Sequence, residues 1–303
     1  MDTMQNSKHW MACLDLSNMD DILIGYSNFL TNVIKPETIT FFHVIESGPT
    51  ALDLVDQFPE IETKEEFLSL IRENFNDKVK KHFSDDDIEI RIIIKEGKPT
   101  DQVIDVVNSL EPDLLIMGKK IGYAGEGVVP MKILDYVPCS VLFVPENSRY
   151  NLENILVPVD FSEQSADAIN AASSLTSSSH VTAQHIYQYR AQFFPYSLSE
   201  KEKKDVDRKI QDKKETFRAE SDIPEDVRFE LSLHHNGKIA DVVYNQAIRD
   251  QADLIIVASK SKRIGALIRH DFTDKMVEYA FGIPLLILKN RERHMKFLKK
   301  IFG

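Results

Sequence analysis

The sequence predicts an α/β protein built from two tandem domains, each an open, doubly wound sheet of five parallel strands. Three observations lead to this prediction. Five sequence blocks recur in the same order, roughly 140 to 145 residues apart. Each block contains a short apolar run rich in β-branched residues, as buried parallel strands do. Helical stretches separate the blocks, and the strand–helix–strand order implies right-handed crossovers between parallel strands.

The repeat is visible in five pairs of segments. An apolar run followed by Asp-x-Ser occurs at both 10–17 and 155–162. The remaining pairs follow in the same order: 39–46 with 181–188, 92–107 with 231–246, 111–120 with 251–260, and 137–145 with 281–289. Two copies of one ordered set of blocks indicate a duplicated domain. We therefore place the domains at 1–147 and 151–290, joined by the polar, turn-rich segment PENSRYN.

Stretches between the blocks show helical features. Residues 162–175 begin with an N-cap signal, Ser162, and continue with alanine-rich helix formers. Residues 64–83 carry apolar side chains at helical spacing, namely Phe67, Leu70, Ile71, Phe75 and Val79. The highly charged stretch 199–220 is predicted to be a solvated helix rather than a binding patch.

Composition and charge weigh against several classes of function. With 37 basic and 48 acidic residues the net charge is −11, which disfavours nucleic-acid binding because that depends on neutralising phosphates. The two cysteines, Cys13 and Cys139, lie in apolar runs and suit reduced core thiols better than a disulfide framework. The amino terminus lacks the pattern of a signal peptide, and no apolar run approaches the roughly 20 residues that span a bilayer. We therefore predict a cytoplasmic protein.

The order of these motifs resembles the universal stress protein family. The resemblance runs from about Lys8 to Lys289. It is carried in both halves by the Asp-x-Ser motif, the strand containing His, the Gly at a strand–helix junction, the Asp-Leu strand and the closing apolar strand. It implies Rossmann-like domains of the adenine nucleotide alpha hydrolase type, with the two halves paired as a pseudo-dimer. It also allows a homodimer. Some members of the family bind ATP and others do not.

The resemblance implies a set of nucleotide contacts in the first copy. Asp15 follows the first strand and Val44 ends the second, and both positions meet the adenosine end of the ligand in ATP-binding members. The family's phosphate loop, G-x2-G-x9-G-S/T, is matched by Gly118, by Gly122 one position late, and by Gly127. Glycines there allow backbone amides to approach phosphate. The loop is about four residues short of the motif, so we expect it to lack the reach to fold over a triphosphate.

In the second copy the adenosine side matches the family better. Pro158, Val159, Asp160 and Ile186 occupy its adenosine-side positions. The loop has the usual length but lacks its glycines: the first two glycine positions and the phosphate-side hydroxyl position hold Ala258, Ser261 and Thr273. Asp271 adds a charge that repels phosphate. We therefore expect neither copy to bind ATP tightly, and any adenosine-type binding to favour the second copy.

Simpler structural roles compete with these assignments. Asp15 and Asp160 can each order the turn that leads into the following helix. His43 and His185 lie inside strands, where a hydrogen-bonded core histidine is the favoured interpretation. The sequence contains no metal-ligand spacing, Walker loop, G-x-S-x-G or C-x-x-C motif. No metal site and no catalytic residue is therefore predicted.

The segment 291–303 has no counterpart in the first copy and forms a basic amphipathic pattern. We favour packing of this tail on protein over contact with an anionic membrane or a partner groove. The leading hypothesis is a non-enzymatic stress-response or regulatory module that acts with an unidentified protein partner. One alternative is an adenine-nucleotide-binding protein with slow ATP hydrolysis, and another is an adaptor acting through the tail. ATP or another adenine nucleotide is the cofactor that the resemblance allows.

Overall fold

The computed structural model describes residues 7–46, 63–83, 87–120, 128–189, 197–235, 237–259, 269–278 and 282–289. These residues divide into two compact units. The first unit contains residues up to 150 together with 282–284 and 289, and the second contains residues from 151 to 278 together with 285–288. Each copy of the sequence repeat therefore supplies most of one unit.

The first copy alternates strands and helices along its described residues. In chain order the elements are β1 (His9–Leu14), α1 (Met19–Thr31), β2 (Thr38–Ile45), α2 (Lys64–His82), β3 (Glu89–Glu96), α3 (Pro99–Leu110), β4 (Leu114–Lys119), α4 (Val128–Tyr136) and β5 (Ser140–Pro145). The strands lie in the order β3-β2-β1-β4-β5. The pairings between them are parallel. The order reverses between β1 and β4, as in a doubly wound sheet.

The second copy has the same arrangement. Its elements are β6 (Ile155–Val159), α5 (Glu163–Leu175), a 3₁₀ turn (Ser178–His180), β7 (Val181–Tyr187), α6 (Glu200–Glu220), β8 (Arg228–Leu233), α7 (Ile239–Arg249), β9 (Leu254–Ala258), α8 (Arg269–Glu278) and β10 (Leu285–Leu288). The strand order β8-β7-β6-β9-β10 repeats that of the first copy, again with parallel pairings. The predicted α/β class with tandem five-stranded parallel sheets is confirmed.

The strands β3 and β8 differ from the sequence prediction. They were expected to be buried on both faces, but no residue of β3 is buried and Ser232 is the one buried residue of β8. Each has a single strand neighbour within its unit. An edge strand tolerates charged side chains such as Arg91 and Lys95, which discourage pairing with other chains.

The predicted helices are present, and their ends have the expected chemistry. Ser162 is the N-cap of α5 and its hydroxyl accepts a hydrogen bond from a backbone N–H. Thr63 forms a capping box at the start of α2. Four of the five apolar residues predicted on α2 are buried, but Leu70 is 46% exposed, because its position lies outside the narrow stripe that meets the sheet. The charged helix α6 buries Phe217 alone, which confirms it as a solvated helix.

The repeat extends to individual backbone angles. Gly97 and Gly237 have φ angles of 139° and 102°, and each precedes the helix that follows an edge strand. Glu111 and Gln251 adopt left-handed conformations with φ of 49° and 51°. A non-glycine residue in this region is strained, so its recurrence at equivalent positions reflects a shared fold rather than local sequence preference.

Equivalent aspartates tie each central strand to its neighbour. Asp113 accepts hydrogen bonds from two backbone N–H groups around the start of β1, at 2.9 and 3.1 Å. Asp253 accepts two from the residues just before β6, at 3.1 and 3.0 Å. These carboxylates satisfy backbone donors that the strand ladder leaves unpaired.

The two thiols are free, as predicted, and Cys139 is buried. Burial raises the pKa of Cys13 to about 12, which keeps this thiol protonated and poorly nucleophilic. None of the helices in the described ranges combines the length and apolar character needed to cross a bilayer.

Candidate functional site

The carboxyl ends of the central strands form one edge of each sheet, where the strand order reverses. In the first copy, register places the ends of β1, β2 and β4 side by side, bringing together Asp15, Val44 and Gly118. We call this edge the first crevice. The second crevice is the corresponding edge of the second copy, with Asp160 and Ile186 beside the end of β9. Ligands of open α/β sheets bind at such an edge.

A strained turn opens both crevices. The residue after each aspartate is left-handed, with φ of 62° at Leu16 and 59° at Phe161. Asp15 stabilises its turn by accepting hydrogen bonds from the backbone N–H and the hydroxyl of Ser17, at 3.1 and 2.5 Å. The Asp160 carboxylate accepts one from the hydroxyl two residues later, at 2.6 Å. Both aspartates therefore order the turn that leads into the following helix, as the structural interpretation of the sequence predicted.

A lysine neutralises the aspartate of the first crevice. Lys120, just after β4, places its Nζ 2.7 Å from Oδ2 of Asp15. Partial burial alone would raise the pKa of Asp15, but the hydrogen bonds from Lys120 and Ser17 outweigh burial and hold that pKa below its usual value. The carboxylate is therefore charged at neutral pH and already holds a cation of the same chain.

A second carboxylate lies beneath the turn in the first copy. Asp20 is fully buried. Its Oδ1 accepts a hydrogen bond from the Asp15 backbone N–H at 2.9 Å, and its Oδ2 accepts one from Lys78 at 3.0 Å. Burial raises the pKa of Asp20 despite these partners. The Asp20–Lys78 pair therefore places two opposite charges beneath the crevice, where removing charged groups from water is costly.

The second copy performs the same backbone task with a neutral side chain. The Asp160 backbone N–H donates to the Ser165 hydroxyl at 3.1 Å, and that hydroxyl donates to Asp160 Oδ1 at 2.9 Å. Ser165 stands five residues after the turn aspartate, as Asp20 does in the first copy. Beneath the turn, the first crevice thus has a charged pair where the second has a hydroxyl.

Close packing explains the glycine at the end of β4. A Cβ added to Gly118 would lie 2.6 Å from Cγ of Met19, at the start of α1. Met19 is buried against this strand end. In the second copy Ala258 occupies the end of β9, so a methyl group is tolerated there. In this structure Gly118 makes room for Met19, a role that needs no phosphate ligand.

Histidines sit beside both turns. The Nδ1–H of His43 donates to the carbonyl of Leu14 and that of His185 to the carbonyl of Val159, each at 2.9 Å. Both are hydrogen-bonded as predicted; His43 is buried in the core, whereas His185 is only partly buried. Burial lowers the pKa of His185, with the Val159 carbonyl opposing the shift. His185 is therefore largely neutral at pH 7.

The second crevice has a stacked pair of rings at the turn, where the first copy has Leu16. The Phe161 ring stacks on His185 with a centroid distance of 4.1 Å and an interplanar angle of 27°. Phe217 of α6 backs this stack at 5.5 Å. The position of Phe161 is taken in the first copy by Leu16, which is 43% exposed. Stacked aromatic surface next to a carboxylate suits a flat, hydrogen-bonding ligand.

Comparison with known proteins identifies the family. A model of the Universal stress protein family matches the chain twice, over residues 32–145 and 151–289. The chain belongs to the universal stress protein family. The second of these universal stress protein matches includes β6 and Asp160, whereas the first begins after α1 and leaves out Asp15. The difference falls on the turn where the two crevices diverge.

Solved structures share this fold along nearly the whole chain. A functionally unknown protein from Pseudomonas aeruginosa PAO1 superposes with a TM-score of 0.66 at 10% identity, covering 99% of both chains. A universal stress protein from Archaeoglobus fulgidus DSM 4304 gives a TM-score of 0.62 at 14% identity, covering 95% of this chain and 98% of its own. No curated protein has a significant sequence match to the chain. At these identities the likeness shows the fold.

The remaining predicted site residues are only partly placed. Pro158 and Val159 lie in β6, the first partly and the second fully buried. Thr273 lies on α8 and is partly buried. Of the other predictions, Gly122, Gly127, Ser261 and the tail 291–303 lie outside the described residues. The structure therefore brings together the residues predicted for the adenosine side of each copy; their role and both phosphate loops stay predictions.

Sequence reasoning missed a polar aromatic cluster beside Ile186. The hydroxyls of Tyr187 and Tyr189 both donate to Asp207 of α6, at distances from 2.8 to 3.0 Å. Burial and the nearby carboxylate raise the pKa of Tyr187, so it stays protonated. The Lys203 ammonium lies 6.0 Å from the Tyr189 ring centroid. The only signal for this contact was an aspartate inside a charged helix, which resembles any solvated residue.

Proposed function

We propose that this universal stress protein is a non-enzymatic regulatory module whose second crevice holds the adenosine part of an adenine nucleotide, while its first crevice is closed by its own ion pair. The observation that carries this proposal is the stack of Phe161 on His185 beside Asp160, with a centroid distance of 4.1 Å, at a position where the first copy has Leu16. In the first crevice a ligand hydroxyl at Asp15 competes with the charge-assisted bond from Lys120.

The second crevice has the parts that a purine nucleoside requires. Phe161 and His185 supply stacked rings, and Ile186 supplies partly exposed apolar surface at the neighbouring strand end. Asp160, at the head of the turn, is an acceptor suited to ribose hydroxyls. A mostly apolar slot with a few orienting polar groups is typical of small-ligand sites.

The phosphate side supports weaker binding of triphosphates. Ala258 stands where a glycine allows the backbone to approach an anion, and the loop that follows lacks glycines at its matching positions. Its sequence also contributes Asp271, whose charge opposes phosphate. Affinity should therefore not increase from adenosine to AMP to ATP.

Isothermal titration of adenosine, AMP and ATP into the intact chain tests the proposal. We expect Asp160→Ala to weaken adenosine binding roughly tenfold, the value of about one hydrogen bond to a charged group. The matched variant Asp15→Ala should leave the affinity unchanged. Incubation with ATP should release no phosphate above the buffer rate. Micromolar ATP binding that ignores Asp160→Ala but is lost in Asp15→Ala would refute the assignment.

A further inference from the structure

The second copy has a pocket at the sheet edge opposite its crevice. The pocket has a volume of about 240 Å³ and is lined by the amino ends of β6, β7 and β8. Ile155 and Thr182 lie at its base, at or next to the first residues of their strands. Asp160 and Ile186 lie at the other ends of the same strands. Because parallel strands put all their amino ends at one edge, this pocket is separate from the proposed nucleotide site.

One arginine is held firmly in this pocket. Arg228 donates through Nε and Nη2 to the Thr182 hydroxyl, at 3.1 and 2.7 Å. Its Nη2 also lies 2.5 Å from Oδ2 of Asp250, which accepts a further bond from Gln246 at 2.9 Å. These contacts use one side of the guanidinium fork and fix its plane. The Nη1 donors of Arg228 make no hydrogen bond within the described part of the chain. The five donors of a guanidinium lie in one plane, an arrangement that matches oxyanions.

A second arginine gives the pocket a net positive lining. Arg249, the last residue of α7, enters none of the ion pairs or hydrogen bonds that the described residues form. Against the two arginines the lining carries one carboxylate, that of Asp250. His180 and Ser179 also line the pocket and add polar groups. A cationic pocket is notable on a chain whose net charge is −11, because the surrounding field opposes anions unless local donors attract them.

The first copy has the same fold at this edge but not the same pair of arginines. Strand register makes Arg91 the counterpart of Arg228, since each pairs with the threonine of the neighbouring strand. Arg91 bonds instead to Glu89, at 2.9 and 2.8 Å. The repeat places Ser109 opposite Arg249 and Glu37 opposite the Ser179 position. The pair of arginines is thus an addition of the second copy and is not required by the sheet.

We propose that this pocket binds a small oxyanion, either free phosphate or the phosphate group of a small phosphomonoester, between Arg228 and Arg249. Guanidinium groups bind phosphate oxygens through paired charge-assisted hydrogen bonds. The volume exceeds what a single phosphate group fills, which leaves room for a small organic group. The site is independent of the adenosine proposal, because it shares no residue with the second crevice.

The test is isothermal titration of inorganic phosphate and of glycerol 3-phosphate into the full chain, in low-salt buffer free of other oxyanions. We expect saturable binding that Arg249→Gln weakens roughly tenfold or more, as loss of a charge-assisted bond does. The matched variant Arg91→Gln removes the same charge from the equivalent edge of the first copy and should leave the affinity within about twofold. Asp160→Ala should also leave it unchanged. Tighter binding of inorganic phosphate would indicate a site for free phosphate, and tighter binding of glycerol 3-phosphate would indicate a site for a small phosphomonoester.

Three results would overturn this site. The first is the absence of a saturable heat signal with either anion at concentrations up to ~10 mM, a range that would detect a dissociation constant as weak as about 1 mM. The second is equal weakening by Arg249→Gln and Arg91→Gln, which would reveal general charge attraction. The third is a set of amide chemical-shift changes, on adding phosphate, that lies away from the amino ends of β6 to β8.

Discussion

The two crevices share a backbone but differ in the side chain that lies beneath the turn. Both open with a left-handed residue after an aspartate. In the first crevice the backbone N–H of that aspartate donates to Asp20, which pairs with Lys78. In the second it donates to the hydroxyl of Ser165. A duplicated fold can therefore keep its strained turn while the group that supports it changes from an ion pair to a neutral hydroxyl.

This difference bears on what each copy is proposed to bind. A ligand at Asp15 must compete with Lys120. The second crevice presents stacked rings and apolar surface beside its carboxylate. Under the proposal the copies divide stability and binding between them, and substitutions in each copy test that division.

The largest effect should come from Lys78. Lys78→Met removes the ionic partner of a carboxylate that is fully buried, and an uncompensated buried charge costs about 3 kcal/mol. We expect urea unfolding to show this loss in the first unit. The control Lys81→Met breaks a pair at 3.5 Å between exposed groups and should cost less than about 1 kcal/mol.

A double variant sharpens the same comparison. Asp20→Ser combined with Lys78→Met gives the first copy the neutral arrangement that Ser165 provides in the second. It should recover most of the stability that Lys78→Met loses, because no buried charge is left unpaired. Equal destabilisation by the single and double variants would show that packing around Lys78, and not its charge, is what matters.

The fold could be predicted from the sequence because the repeat presents the same elements twice. A pattern seen once is ambiguous, but the same Asp-x-Ser turn after two apolar runs identifies a strand end in both places. The helix cap at Ser162 and the hydrogen-bonded histidines His43 and His185 were also predictable, since each depends on neighbours in the chain or on the adjacent strand.

The ion pairs of the first crevice could not be predicted in this way. The Asp15–Lys120 pair joins residues far apart in the chain, and the Asp20–Lys78 pair joins α1 to α2. No periodicity records such contacts, because they depend on where helices cross the sheet. The role of Gly118 could not be predicted either. Its position matches a phosphate-loop glycine, but in the structure it is packed against a side chain of α1.

An intermediate effect is expected at the end of β4. Gly118→Ala places a methyl group 2.6 Å from Met19 Cγ, and overpacking of this kind costs about 1–2 kcal/mol. Met19→Ala in the same chain should relieve the clash, so the double variant should lose less than the two single losses combined. Denaturant unfolding of the three variants measures this coupling.

The equivalent change in the second copy is the control. Ala258→Gly should cost no more than about 1 kcal/mol, because it removes a methyl group and adds backbone freedom. If Gly118→Ala proves as mild as Ala258→Gly and shows no coupling to Met19, the close approach of α1 to β4 is not what requires glycine at that position.

The smallest effect should come from the exposed ion pair of the first crevice. Lys120→Gln should raise the pKa of Asp15, which that lysine holds below its usual value. Carbon-detected NMR titration of the side-chain carboxyl measures this shift directly. Lys64→Gln, which breaks another exposed pair at 2.7 Å, should leave the Asp15 titration unchanged.

The sign of the stability change follows from that shift. Because the folded pKa of Asp15 is lowered, its contribution is fully present above the unfolded pKa of about 3.9 and is lost as pH falls through the folded value. Lys120→Gln should therefore reduce stability at pH 7 by a few tenths of a kcal/mol, since Asp15 is half exposed and solvent screens the pair. The difference between wild type and variant should vanish at pH values below the folded pKa. A difference that persists there would mean that Lys120 stabilises the crevice through packing of its alkyl chain and not through its charge.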